Sequence, residues 1–155
     1  MKNILIIGAN GFTGRRILND LSVNPIYHVT GCSLRDDICP GKDYRFVRTD
    51  IRDENEVRKL FKECRPDIVI NTSALSVPDY CETHHAEAEA TNVTAVETIA
   101  HVCEQYGSRF IHLSTDFVFD GKSTRLYKED HSPGVVPLRL VERKRQYHVP
   151  TSKRR

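Results

Sequence analysis

The stretch Ile4–Leu18, ILIIGANGFTGRRIL, decides the fold. Four apolar residues, Ile4 to Ile7, run straight into Gly8, Gly11 and Gly14, and Arg15 to Leu18 continue as helix. A short unbroken apolar run suits a strand buried on both faces of a parallel sheet. Glycines spaced G-x-x-G-x-x-G allow a tight turn, a close approach of backbone to ligand, and close packing of helix on strand. The helix that follows opens with free N–H groups and a partial positive charge, which suits a pyrophosphate. Glycine spacing alone is weak evidence. A strand before it and a helix after it point to dinucleotide binding rather than a plain strand–turn–helix.

Composition narrows the partners. A chain of 155 residues is long enough for one domain with a real core. Its 23 Lys+Arg against 21 Asp+Glu give a net charge of +2, which offers no case for nucleic acid. Many of the basic residues fall between Arg139 and Arg155, so the body before them is acidic. No apolar run is long enough to span a membrane, and the N-terminus enters a strand with no signal-like segment before it. Cys32, Cys39, Cys64, Cys81 and Cys103 are odd in number and hold no C-x-x-C pair, which suggests neither a disulfide framework nor a zinc site. A reducing, cytoplasmic location is the simplest expectation.

Further along, the pattern alternates strand and helix. A first helix over about Thr13 to Ser22 is broken at Pro25, and His28 to Cys32 is a second strand. The end of that strand is where such a unit reads the adenosine ribose. Ser33 and Arg35 stand there, a hydroxyl and a guanidinium suited to a 2′-phosphate and so to NADPH. Asp36 and Asp37 follow and would serve NADH in another loop register. Tyr44 to Arg48 alternates as a strand ending at Asp50 and Ile51, and Asp53 with Glu56 forms a capping box for a helix to about Cys64. Ile68 to Ile70 is a buried strand feeding Asn71, Thr72, Ser73, Ala74 and Leu75, small enough to let a cofactor lie near the backbone. The His84–His85 pair lacks metal-ligand spacing. Glu87 to Tyr106 has the apolar spacing of a long helix, capped by Gly107 and carrying a polar Asn92 expected to bond to backbone or to a neighbouring loop. Phe110 to Leu113 is the last strand, with Ser114, Thr115 and Asp116 at its carboxyl end, where ligands of open parallel sheets lie. The fold expected is α/β, a doubly wound parallel sheet, over residues 1–133.

Taken in order, GANGFTG, TDIRD, NTSALS, the helix with Asn92, LSTDFVFDG and YKEDHSP resemble the extended short-chain dehydrogenase/reductases, and most of all the dTDP-4-dehydrorhamnose reductase family. The resemblance covers about Met1 to Pro133, the Rossmann-fold cofactor half of a family about twice this length, and implies that the substrate domain is missing. It implies that Gly8, Asn10, Gly11, Phe12 and Gly14 surround the pyrophosphate and that Asp50 and Ile51 meet the adenine. Ser73, Ala74 and Leu75 would flank the ribose and nicotinamide. Thr115 takes the family's catalytic Ser/Thr position against the substrate carbonyl, and Asp116 joins the substrate contact. The partner implied is a small sugar nucleotide, reduced at a keto carbon with a Tyr-x-x-x-Lys pair supplying the proton.

That pair is absent. Tyr127 is followed four positions on by His131, and Tyr147 by Thr151. Residues 134–155, GVVPLRLVERKRQYHVPTSKRR, form an irregular basic tail. Were Leu138 to Arg143 encoded CTA CGG CTT GTC GAA AGG, the +1 frame would read Tyr-Gly-Leu-Ser-Lys where the motif belongs. A one-base shift near Gly134 is therefore the expectation, leaving a catalytically impaired reductase, a non-catalytic dinucleotide-binding fragment, or a regulatory module. A sheet cut short leaves an edge that a second copy could cover, so a homo-oligomer is also expected.

Overall fold

The computed structural model describes residues 1–40 and 43–115. Residues Met1–Ser114 form one compact unit. The tail and Asp116 lie outside the described residues.

Strand β1 (Lys2–Ile7) is buried on both faces from Ile4 onward, as its unbroken apolar run demands. Five strands lie parallel in the order β3-β2-β1-β4-β5: β2 is Tyr27–Ser33, β3 Arg45–Arg48, β4 Ile68–Asn71 and β5 Arg109–His112. The chain winds from β1 to β3 one way and from β4 to β5 the other. The switch point therefore falls between β1 and β4, where Ile7 stands opposite Cys32 on one side and Asn71 on the other. This is the doubly wound Rossmann architecture expected from the sequence.

Alternation along β1 divides the core. Leu5 and Ile7 face α2 (Glu54–Cys64) and the helix Ala95–Tyr106, packing with Val57, Leu60, Phe61, Ile99 and Val102. Ile4 and Ile6 face α1 (Phe12–Ser22), packing with Ala9, Leu18 and Val29. Phe61 also meets Tyr106 edge to face, with ring centroids 5.6 Å apart. Cys32, Cys64 and Cys103 belong to the first of these clusters, and burial pushes their thiols up, Cys64 to about 11 and Cys103 to about 12. They act as small apolar fillers. All five cysteines are unbridged.

Three local expectations change. Asp53 does cap α2, accepting from Asn55 N at 2.8 Å, but the capping box does not close on it. Asp53 N is already taken by Asp50 O, so Glu56 reaches further and accepts from Asp50 N at 2.7 Å. The segment 76–85, for which the sequence pattern predicts no element, holds a short helix, α3 (Pro78–Thr83), started by a proline in its first turn. The long helix begins two residues earlier than expected and is not uniform. It runs as α4 (His85–Glu89), one wide π turn (Ala90–Thr94) and α5 (Ala95–Tyr106), ending on Gly107 at φ +66°.

Candidate functional site

A cleft of about 310 Å³ opens at the carboxyl ends of the strands, across the β1/β4 switch point. Four loops and one helix build it. The glycine turn supplies Gly8 and Gly11, and the end of β2 supplies Ser33 and Leu34. The segment after β3 brings Thr49, Asp50, Ile51 and Arg52, and the segment after β4 brings Thr72 to Leu75. Glu87 on α4 and Thr91 in the π turn close one side.

Close packing fixes the glycine turn. Gly8 has φ +81°, and a Cβ there would lie 2.8 Å from both Ser73 N and Thr72 Oγ1. A Cβ on Gly14 would lie 2.2 Å from Gly8 O and 2.7 Å from Thr72 Oγ1. Neither position admits a side chain, so β1, α1 and the loop after β4 meet backbone to backbone. Thr72 ties the junction by donating its hydroxyl to Ile7 O at 2.9 Å. Helix α1 starts at Gly11 with no side-chain cap and no acid in its first turn. Its first N–H groups are thus left for an anion, and the partial charge there is uncompensated. Arg15 N makes the first helical bond, to Gly11 O at 2.8 Å.

The loop after β4 is held from the opposite side. Asn92, in the middle of the π turn, accepts from Leu75 N at 2.8 Å and donates to Leu75 O at 3.0 Å. One side chain thereby satisfies both backbone groups of a cleft residue, which fulfils the sequence expectation for Asn92. Asn71, fully buried at the end of β4, accepts from Ser73 N and from the Ser73 hydroxyl, setting the turn into the cleft.

Across the cleft, Asp50 is bound by Arg52, with the guanidinium Nη2 to carboxylate distance at 2.7 Å. The Arg52 bonds hold the Asp50 carboxyl below its usual range, and Asp50 in turn raises Arg52. Glu87 approaches the same guanidinium at 3.5 Å. Arg52 was not among the residues expected from sequence. Its signal was an arginine two residues beyond a strand-end acid, close enough to pair locally. Thr72 lines the cleft with the other small residues after β4, whereas Glu87 and Thr91, on one helix face at i, i+4 spacing, were not expected from sequence.

Of the residues expected to meet a cofactor, the cleft brings together Gly8, Gly11, Ser33, Asp50, Ile51, Ser73, Ala74 and Leu75. Gly14 lies behind them as a packing residue, and Phe12 leaves its ring 96 % exposed at the start of α1. Asn10 turns its amide away to the loop after β2, donating to Asp36 O at 2.9 Å and accepting from Arg15. Arg35 is exposed on that loop. Thr115 is the last described residue. His84 stacks on Tyr80 with centroids 3.8 Å apart, while His85 opens the next helix. No helix among the described residues is long and apolar enough to cross a membrane.

Comparisons with known proteins agree with this geometry. Residues 1–139 match the family described as RmlD substrate binding domain. Methionine adenosyltransferase 2 subunit beta of Xenopus laevis is 34% identical over 139 residues, which are 90% of this chain and 39% of that protein. The dTDP-4-dehydrorhamnose reductase of Aggregatibacter actinomycetemcomitans is 30% identical over 129 residues, 83% of this chain and 40% of that one. Among solved structures, dTDP-4-dehydrorhamnose reductase of Bacillus anthracis in complex with NADP superposes with a TM-score of 0.78 at 24% identity, covering 93% of this chain and 47% of that one. The chain thus spans about two-fifths of the length of the curated relatives it matches. With its parallel sheet, its glycine turn and a match over 139 residues, the chain belongs to the RmlD substrate binding domain family.

Proposed function

We propose that the described unit holds NAD(P)H for a sugar-nucleotide reductase of the dTDP-4-dehydrorhamnose type. The observation that carries this reading is the glycine cradle, where a Cβ at Gly8 or Gly14 would collide with backbone and with Thr72. A turn stripped of side chains beside an uncapped helix start fits a pyrophosphate. Gly8, Gly11 and the first N–H groups of α1 would hold that group, and Asp50 with Ile51 would border the adenine. Ser73, Ala74 and Leu75 would line the ribose and nicotinamide. The dinucleotide, when bound, supplies a hydride. The residues of this chain bind it, orient it and keep its reactive end against the loop after β4. Thr115 and Asp116, following the family resemblance, would contact the sugar nucleotide. The dTDP-4-dehydrorhamnose reductase of Bacillus anthracis, solved in complex with NADP, shares this fold and supports the dinucleotide part of the reading.

The 155-residue chain lacks Tyr-x-x-x-Lys, and losing a general acid typically costs about 10²–10⁴-fold in rate. The expected behaviour is NADPH binding with little or no turnover. Purified chain mixed with NADPH and dTDP-4-dehydrorhamnose should show no oxidation at 340 nm beyond the no-enzyme control, while still binding NADPH. Sustained oxidation would refute the impairment. Absence of binding by folded chain would refute the dinucleotide reading.

A second reading is favoured by the 34% identity to a protein named as subunit beta of a methionine adenosyltransferase. On that reading the fold serves as a regulatory module, and the full chain should co-purify with a methionine adenosyltransferase catalytic subunit. No complex at micromolar concentrations removes it.

A further inference from the structure

Behind the ribose end of the cleft lies a polar network that the dinucleotide reading does not use. Arg15, on the first turn of α1, spends its guanidinium inward. Its Nη1 donates to Tyr44 Oη at 2.8 Å and to Cys39 O at 3.2 Å. Its Nη2 donates to Asn10 Oδ1 at 2.9 Å and to Asp37 Oδ1 at 2.5 Å. Asp37 is also filled from other sides, accepting from Cys39 N at 3.0 Å and from Tyr44 Oη at 2.8 Å. Asn10 Nδ2 holds the main chain of the same loop, at Arg35 O (3.3 Å) and Asp36 O (2.9 Å). The Arg15 and Asp37 side chains are 15% and 11% exposed, so this is a half-closed ion pair rather than a solvated one.

We propose that Asn10, Arg15, Asp37 and Tyr44 act as positioning residues that set which dinucleotide the cleft prefers. The proposal rests on the dinucleotide reading above. Two acids follow Arg35, and either could accept hydrogen bonds from a ribose 2′-hydroxyl. The network consumes one of them. Asp37 has both oxygens engaged and its charge balanced by Arg15, so it neither accepts from a 2′-hydroxyl nor repels a 2′-phosphate. Ser33 lines the cleft, and the Arg35 guanidinium has no hydrogen bond or ion pair among the described residues. A hydroxyl and an exposed guanidinium at that end suit a phosphate. The clamp therefore biases the site toward NADPH. Asp36, exposed beside Arg35, is the one competing acid among the loop residues 34–37.

The test is a pair of fluorescence titrations, NADPH and NADH, on the full chain and its variants, each checked for folding by its melting temperature. Wild type should bind NADPH at least tenfold more tightly than NADH. Arg15→Gln leaves the Asp37 charge unbalanced, with only Cys39 N and Tyr44 Oη still donating to it. It should cut the NADPH:NADH preference at least fivefold, and Arg15→Lys should restore about half of that loss. Equal weakening of both nucleotides in Arg15→Gln, with the ratio unchanged, would show a merely structural network and overturn the proposal. A tenfold loss of NADH binding in Asp36→Asn would make Asp36 the ribose ligand, with the same consequence. Wild-type chain that is folded yet binds neither nucleotide defeats the dinucleotide reading itself, and the clamp's role with it.

Discussion

Two loops border the same cleft and are held by different physics. The glycine turn is fixed by backbone contact: Gly8 and Gly14 fit only because they have no side chains, and Thr72 locks them to β4. The loop after β2 is fixed by side chains, through Arg15, Asp37, Tyr44 and Asn10. Steric fixation is insensitive to pH and salt and fails all at once. Polar fixation is graded, and it responds to protonation. The first suits a group common to all dinucleotides, and the second suits a feature on which they differ.

The largest expected effect comes from breaking the steric side. Gly14→Val puts a branched side chain where even a Cβ lies 2.2 Å from Gly8 O, and the backbones must part. The chain should be insoluble or melt far below wild type, a loss of more than about 3 kcal/mol by denaturant titration. Gly8→Ala combines a 2.8 Å contact with φ +81° and should cost about 2–3 kcal/mol while abolishing NADPH binding. Next comes the wall opposite, where Asn92→Leu leaves the N–H of Leu75 without its partner and its C=O with only the Cys81 thiol at 3.3 Å. A loss of about 2–3 kcal/mol is expected, with faster hydrogen exchange confined to the segment 73–76.

The smallest effect separates the two loops most cleanly. Hydrogen bonds from Cys39 N, Arg15 and Tyr44 outweigh the cost of burying Asp37 and hold its carboxyl below the usual carboxylate range. A depressed folded-state value means that the clamp's contribution is fully present above the unfolded value of about 3.9 and is lost as pH falls through the lower folded one. On acidification below about pH 4, hydrogen exchange in the segment 34–39 should accelerate before the glycine turn does. Asp37→Asn should remove that pH step. Simultaneous opening of both loops at one pH would contradict the distinction.

What the sequence made legible follows the same division. The apolar run Ile4–Ile7, the glycine spacing, and the Gly107 stop are local signals, and each stands where its pattern put it. Asn92 was legible as a polar residue in need of a partner, though not the π turn that surrounds it, since that depends on the loop it grips. The clamp was invisible because Asp37 and Tyr44 stand 22 and 29 positions from Arg15, and only the parallel sheet brings them to it. Asp37 therefore read as a candidate ribose ligand when it is a filled partner. Asp50 read as an adenine contact, and the Arg52 that covers its carboxylate did not stand out. Glu56 misled for a related reason: the capping-box spacing was right, but Asp50 O had already taken the N–H it was meant to bind.

On the proposed reading, the glycine cradle of this chain holds a dinucleotide. Isothermal titration of NADPH into the folded 155-residue chain, with Gly8→Ala as the comparison, tests it most directly. Saturable one-to-one binding that Gly8→Ala abolishes, while circular dichroism shows the variant still folded, is the predicted result. A folded wild-type chain that takes up no NADPH, or a Gly8→Ala variant that binds it equally well, would contradict the account.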